Sequence, residues 1–136
     1  MKTTWIFLFA ALLIIIIALT LIFSLHSGRI NLRKSNEDIR EDLIEITPLG
    51  MNMEDVLKVI EGNRKWELEW ARDNYGYGIS PDGPGEGHAE SVGVKSIRAC
   101  IGEYGFIFRT YVVVYWGFDE DSKLIDIAVR KDVDAL

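Results

Sequence analysis

The chain has 136 residues, enough for one domain and an anchor, and its single cysteine excludes an intrachain disulfide. All 21 acidic residues lie at Glu37 or beyond, together with only 11 of the 15 basic residues, so residues 37–136 carry a net charge of −10. Because such a segment repels phosphates, we expect no nucleic-acid partner and favour a basic protein surface instead.

The first predicted element is an apolar helix. Residues 5–25 include no charged residue and contain four consecutive isoleucines. At about 1.5 Å per residue, a helix of this length spans roughly 31 Å, about one hydrocarbon core. The run is longer than the core of a cleaved signal peptide, and a poor cleavage site follows it. The sequence therefore predicts an uncleaved, single-pass transmembrane signal-anchor at residues 1–26 and a location in the cell membrane.

The charges that flank this run leave the orientation open. Lys2 lies on its amino side, whereas Arg29, Arg33 and Lys34 lie on its carboxyl side. Positive charges concentrate on the cytoplasmic side of a membrane, so this asymmetry alone leans toward a cytoplasmic domain.

Residues 27–46 are mostly polar and charged, and they predict a juxtamembrane linker. Ile39, Leu43 and Ile46 recur at helical spacing in its second half. This spacing predicts that the second half of the linker is helical.

Residues 47–136 predict a small α+β domain. A break at Pro48 precedes a short helix, for which Asn52 is the N-cap, Met53 the first residue and Gly62 the C-cap. A helix of about ten residues is not stable alone, so its apolar face must pack on a sheet. That face consists of Met53, Val56, Leu57 and Ile60.

Four segments predict the strands of this sheet. Residues 66–71 alternate apolar and charged positions, although a helix stays an alternative there because Glu, Leu and Ala favour helices. The other strands are residues 95–101, 106–116 and 123–130, and the acidic turn at 119–122 joins the last two into a core hairpin. The predicted fold is α+β: an N-terminal transmembrane helix, then one or two short helices packed on a four-stranded antiparallel sheet.

Residues 80–93 predict a long loop rich in Pro and Gly. The loop lacks the Gly-Lys-Ser/Thr of a phosphate loop, and loops of this length are either functional or disordered. If the domain binds a partner through a loop, the candidate residues are Pro81, Asp82, Pro84, Glu86 and His88.

The sequence predicts no catalytic residue, no cofactor site and no metal site. The two histidines, His26 and His88, support neither a nucleophilic triad nor a zinc site. The acidic turn that begins at Asp119 has Arg130, and not Glu, at the twelfth position of a calcium loop. We interpret Cys100 as a small buried residue and not as a reactive thiol, and we expect a non-enzymatic protein.

Two motifs carry a resemblance to a known family. Residues 49–57, Leu-Gly-Met-Asn-Met-Glu-Asp-Val-Leu, resemble the start of the first helix of the SmpA/OmlA (BamE-like) small lipoproteins. Residues 115–127, Tyr-Trp-Gly-Phe-Asp-Glu-Asp-Ser-Lys-Leu-Ile-Asp-Ile, resemble their last hairpin. That family, like the related β-lactamase-inhibitor-protein fold, places short helices on one face of an antiparallel sheet. The resemblance implies an extracytoplasmic, membrane-attached, non-enzymatic accessory protein that binds other proteins.

Together these observations predict a membrane-anchored, non-enzymatic protein-binding or accessory module of the cell envelope. Its expected partners are the membrane, through residues 5–25, and another protein with a basic surface. An immunity-type or inhibitor protein that acts through its acidic surface is the alternative. The resemblance places the domain outside the cytoplasm, whereas the flanking charges favour the opposite side.

Overall fold

The computed structural model describes residues 1–26, 30–86 and 90–134, and these residues form an α+β fold with three helices and seven strands. The helices are α1 (Lys2–His26), α2 (Asn36–Ile46) and α3 (Met53–Gly62). The strands are β1 (Glu67–Arg72), β2 (Tyr77–Ser80), β3 (Gly83–Gly85), β4 (Glu90–Val92), β5 (Lys95–Tyr104), β6 (Arg109–Phe118) and β7 (Leu124–Asp134).

Four strands form an antiparallel sheet in the order β1-β5-β6-β7, the main sheet. Its longest pairing is the β6–β7 hairpin, whose register runs from Arg109 opposite Asp134 to Phe118 opposite Leu124. The runs of Val, Ile, Tyr and Trp in these strands favour a pleated, half-buried surface. The four-stranded antiparallel sheet and its core hairpin confirm the sequence prediction.

Helices α2 and α3 cover one face of the main sheet. Helix α3 begins after the predicted N-cap Asn52, whose Oδ1 accepts a hydrogen bond of 3.0 Å from the backbone N–H of Glu54. The side chain of Ser35 caps α2 in the same way. The last helical residue of α3 is Gly62, and Asn63, not Gly62, is the C-cap. The residues that the two helices bury completely are Ile39, Leu43, Val56 and Ile60. Helix α2 is therefore part of the core and not a spacer.

A buried polar contact fixes α2 on the central strand β6. Trp116 is fully buried, and its Nε1–H donates to Oγ1 of Thr47 at 3.0 Å. The Thr47 hydroxyl in turn donates to the carbonyl oxygen of Leu43 at 2.9 Å. The indole N–H of Trp116 and the hydroxyl of Thr47 thus each have a hydrogen-bond partner, as burial requires.

The acidic turn closes the β6–β7 hairpin and also meets the start of α3. Oδ1 of Asp119 accepts from the backbone N–H of Lys123 at 2.9 Å. The N–H of Gly50 donates to the carbonyl of Leu124 at 2.7 Å, and the N–H of Leu124 donates to the carbonyl of Met51 at 2.9 Å. The two motifs that carry the family resemblance therefore lie against each other.

The predicted single-pass transmembrane helix is wrong. Across the described residues, no helix is long and apolar enough to cross a membrane. The signal-anchor and the cell-membrane location, which rested on that helix, are corrected with it.

The predicted loop also needs correction. The two short helices α2 and α3 agree with the predicted one or two. Within residues 80–93, strands β3 and β4 pair with β2 to form a second sheet in the order β3-β2-β4. Short strands of Gly and Pro carry no apolar alternation, so the sequence pattern did not indicate them.

Two irregularities displace predicted strand positions. A register shift between Leu68 and Trp70 turns Trp70 away from the face that Leu68 occupies, although strict alternation predicted a shared face. Residues 106–108, predicted as the start of a strand, instead form the tip of the β5–β6 hairpin, and β6 begins at Arg109.

We expect the substitution Thr47→Val to destabilise the fold by about 1–3 kcal/mol, because the buried Trp116 N–H loses its acceptor. Thr47→Ser keeps the hydroxyl and is the matched control. Urea unfolding, followed by tryptophan fluorescence, measures both variants. Equal stability of Thr47→Val and the unaltered chain would show that this hydrogen bond does not hold α2 on the sheet.

Candidate functional site

The second face of the main sheet is divided into a covered half and an open half. The small β3-β2-β4 sheet lies over the covered half, where Tyr77 is buried and its ring centroid lies 5.7 Å from that of Tyr115. The rings of Trp70 and Tyr115 lie 6.3 Å apart in an edge-on arrangement. This aromatic cluster holds the small sheet in place.

A polar network around Asp126 reinforces this attachment at the edge of the sheet. The hydroxyl of Tyr77 donates to Oδ2 of Asp126 at 3.1 Å, and Nη2 of Arg40 donates to Oδ1 at 2.6 Å. Nε of Arg40 also donates to the carbonyl of Ile127 at 2.8 Å. Strand β7 is an edge strand of the main sheet, so Arg40 of α2 can extend past this edge. Its contacts with Asp126 and Ile127 link α2, on one face, to the small sheet on the other.

The open half contains a shallow cavity of about 630 Å³. Alternate residues of a strand share a face, so each of the four main strands contributes side chains to its lining. Its charged lining consists of the carboxylates Glu67, Glu69, Glu103 and Asp132 and the cations Lys65 and Arg98. Between them lie Cys100, Tyr111 and Val113. We call this lining the acidic face, because four of its six charged residues are carboxylates.

A β-bulge in β5 brings Glu103 onto the acidic face. Cys100 pairs with Val113 and Gly102 pairs with Val112, so that Ile101 is the additional residue. Side chains alternate between the two faces of a strand, and Glu103 follows Cys100 by three residues. Without the bulge, Glu103 would therefore lie on the face opposite to Cys100, which is the helix-covered face. A bulge re-aims the side chains that follow it, and sequence alternation alone does not reveal one.

Arg98 lies at the boundary between the two halves. Its Nε lies 2.8 Å from Oε2 of Glu69, which makes an ion pair. The buried Nε–H nevertheless makes no hydrogen bond with any residue that the structure describes. Its Nη1 lies 3.6 Å from Oε1 of Glu86, and its guanidinium lies 5.5 Å from the centroid of the Tyr115 ring. Arg98 thus joins the acidic face to the small sheet.

Cys100 is half-buried beneath the carboxylates. Burial raises the pKa of its thiol, and the negative charges of Glu69, Glu67 and Glu103 raise that pKa further. A backbone hydrogen bond at Gly102 opposes these effects only in part. A raised pKa keeps the thiol protonated at neutral pH, which is the opposite of what a nucleophilic cysteine requires.

Of the predicted partner-loop residues, the structure describes Pro81, Asp82, Pro84 and Glu86. Pro81 and Asp82 lie at the turn between β2 and β3, and Pro84 lies in β3. Glu86 instead faces the main sheet, where its Oε1 accepts from Nε1 of Trp70 at 3.0 Å. His88 lies outside the described residues.

Sequence reasoning missed the acidic face because its residues come from four distant strands. One signal was present: Glu67 and Glu69 alternate with apolar residues in a predicted strand, which indicates a polar face. The absence of a metal site and of a cofactor stays a prediction. Within residues 1–26, 30–86 and 90–134, no group of three His, Cys, Asp or Glu residues is placed to hold a metal ion.

Comparison with known proteins identifies no relative: no family model, no curated protein and no solved structure matches this chain. The resemblance to the SmpA/OmlA family therefore stays a prediction from its two motifs.

We expect Tyr77 to make the fold sensitive to alkaline pH. Burial, followed by the nearby Asp126 charge, raises the pKa of Tyr77 above its usual value of 10.0. The folded state therefore holds the phenol proton of Tyr77 more tightly than the unfolded chain does. The stability that this difference contributes is fully present below the usual tyrosine pKa and is lost as pH rises above it. Between roughly pH 9 and 11, the free energy of unfolding should fall more steeply for the unaltered chain than for Tyr77→Phe. If the free energy of unfolding fell equally with pH in the unaltered chain and in Tyr77→Phe, this prediction would be wrong.

We expect the thiol of Cys100 to react slowly with iodoacetamide in the folded protein. Its raised pKa lowers the thiolate fraction at neutral pH, so alkylation should be slower than in urea. Glu69→Gln should accelerate the reaction because it removes a charge that raises this pKa, whereas Glu54→Gln on α3 should not. Mass spectrometry follows the alkylated fraction over time. Equal rates in both variants would exclude a role for the Glu69 charge.

Proposed function

We propose that this chain is a non-enzymatic protein-binding module whose acidic face takes up a basic segment of a partner protein. The observation that carries this proposal is the cavity on the open half of the main sheet, which combines four carboxylates with an apolar floor. An arginine or lysine side chain is complementary to such a surface, because its stem packs on apolar atoms while its charge meets the carboxylates.

The ion pairs around the cavity leave part of its negative charge available. Asp132 lies 2.6 Å from Nε of Arg130, and Glu103 lies 3.4 Å from Nη1 of Arg109. Glu67 has no ion pair with any residue that the structure describes. The net charge of −10 over residues 37–136 adds a long-range attraction for a basic partner and raises its association rate.

An inhibitor or immunity-type function is the second candidate, and the rigidity of the acidic face favours it. The carboxylates stand on paired strands and not on loops, so little conformational freedom is lost when they bind. If the basic segment belongs to the active site of an enzyme or toxin, the same contact blocks catalysis.

The first test measures binding of an arginine-rich peptide to the unaltered chain by isothermal titration calorimetry. The triple variant Glu67→Gln, Glu69→Gln, Glu103→Gln should bind about tenfold more weakly, because exposed ion pairs contribute about 0.2–1 kcal/mol each. The matched control removes three exposed charges elsewhere: Glu54→Gln, Glu61→Gln, Glu120→Gln. Affinity should fall with rising salt for the unaltered chain.

Two results would contradict the proposal. Equal weakening by both triple variants would assign the attraction to net charge and not to the acidic face. Absence of binding at low salt, where the charges are least screened, would remove the basic segment as a ligand.

A further inference from the structure

Strand β1 forms an edge of the main sheet that the rest of the fold leaves open. It pairs with β5 on one side, and its backbone makes no other backbone hydrogen bond within residues 1–26, 30–86 and 90–134. Four of its six residues are exposed: Glu67, Leu68, Glu69 and Ala71. An edge strand presents a row of unpaired N–H and C=O groups, to which an extended segment of another chain can bond.

The other three edge strands are closed or short. Along β7, helix α2 packs beside the strand, and Nε of Arg40 donates to the carbonyl of Ile127 at 2.8 Å. Strand β3 contains Pro84, which has no N–H, and the carbonyl of Pro84 accepts from Nη1 of Arg130 at 3.3 Å. Strand β4 has only three residues. Strand β1 is therefore the one long open edge among the strands that the structure describes.

The two faces of β1 differ in chemistry. Glu67 and Glu69 line the acidic face. Leu68 pairs with Ala99, which is buried in the core beneath the helices, so Leu68 lies on the helix-covered side together with Ala71. Leu68 is nevertheless 37% exposed there. A strand added beside β1 would therefore meet carboxylates on one face and apolar surface on the other.

The carboxylates of β1 determine which segment fits this edge. Side chains directly opposite each other on neighbouring strands have Cβ atoms about 4.5–5.5 Å apart, close enough for opposite charges to attract. Glu67 has no ion pair with any described residue, so its charge remains available to a partner. Glu69 lies 2.8 Å from Nε of Arg98, and a carboxylate can accept further donors. The complementary segment is basic.

The same charges argue against a second copy of this chain as the occupant. Two copies of β1 that paired in register would place the carboxylates of Glu67 and Glu69 beside those of the other copy, and like charges opposite each other destabilise a strand pair. The bulge at Glu69 also interrupts the regular ladder that a stack of copies needs. The edge thus favours one short basic segment over self-association.

We propose that the basic segment of the partner protein binds in an extended conformation as a fifth strand beside β1. This inference rests on the proposed function and specifies how the segment binds. The backbone of the segment bonds to the open edge, and its basic side chains, at alternate positions, lie over the acidic face. The side chains between them lie beside Leu68 and Ala71. The recognised sequence therefore alternates basic and apolar residues along the six residues of β1.

Peptides with and without this alternation test the pattern, and the full chain stays unaltered in every measurement. The probe is an eight-residue peptide that alternates arginine and valine and has both ends blocked. The matched control groups the same four arginines and four valines into two blocks. In a strand, only the alternating peptide places all its arginines on one face. Isothermal titration calorimetry should show that it binds at least about tenfold more tightly, which corresponds to about 1.4 kcal/mol.

Backbone methylation of the alternating peptide tests the strand pairing itself. Successive N–H groups of a strand point to opposite sides, so only every second one can bond to β1. One peptide is N-methylated at its odd positions and the other at its even positions. The peptide that loses the N–H groups facing β1 should bind at least about tenfold more weakly than the other.

Hydrogen exchange locates the contact on the chain. In the complex with the alternating peptide, mass spectrometry should find slower amide exchange across residues 67–72. Exchange across residues 124–134 of β7, the closed edge, is the control and should not change.

The outcomes distinguish failure of the fifth strand from failure of the proposed function. A tenfold difference between the two methylated peptides, with protection of residues 67–72, supports the fifth strand. Equal binding of the two methylated peptides, equal binding of the alternating and block peptides, or protection only outside β1 overturns it, although a basic segment still binds. Binding of the arginine-rich peptide without binding of the alternating peptide also overturns it. If neither peptide binds at low salt, both the fifth strand and the proposed function are overturned.

Discussion

The hydrogen bond from Trp116 to Thr47 is the contact on which the rest of the architecture depends. It joins Trp116, near the carboxyl end of the central strand β6, to the residue that follows α2, in a region that excludes water. A buried indole N–H needs an acceptor, and only one position of the α2–α3 connection supplies the hydroxyl. Once Thr47 is fixed, Gly50 and Met51 meet Leu124, and Asn52 can cap α3 above the hairpin. The helices are thus placed by a polar contact as well as by their apolar faces.

The bulge at Ile101 gives the β5–β6 hairpin two different faces. It directs Ile101 and Gly102 to the helix-covered face, where Leu32 lies so close that a Cβ on Gly102 would contact it at 2.7 Å. It then directs Glu103 to the acidic face. One additional residue therefore completes the carboxylate set on one side and shapes the apolar cavity on the other.

The sequence predicts those parts of the fold in which a local signal and the tertiary structure agree. Helix α3 has both its cap at Asn52 and its apolar stripe, and the β6–β7 hairpin has β-branched runs around a polar turn. Helix α2 had the same apolar spacing, but its many charges suggested a linker, and only packing shows that Ile39 and Leu43 are core residues. The small sheet could not be predicted, because its Gly and Pro strands depend on Tyr77 and Glu86 contacts made over long chain distances.

The acidic face and the cavity beside Ile30 and Trp66 are not independent, because Lys65, Gly102 and Glu103 line both. Glu103 also lies 3.4 Å from Nη1 of Arg109 on the neighbouring strand. A ligand that moves Glu103 at one cavity therefore changes the charge that the other cavity presents. The attraction of the acidic face for a basic segment is screened by salt, whereas contacts with the apolar residues Ile30, Leu32 and Ile101 are not.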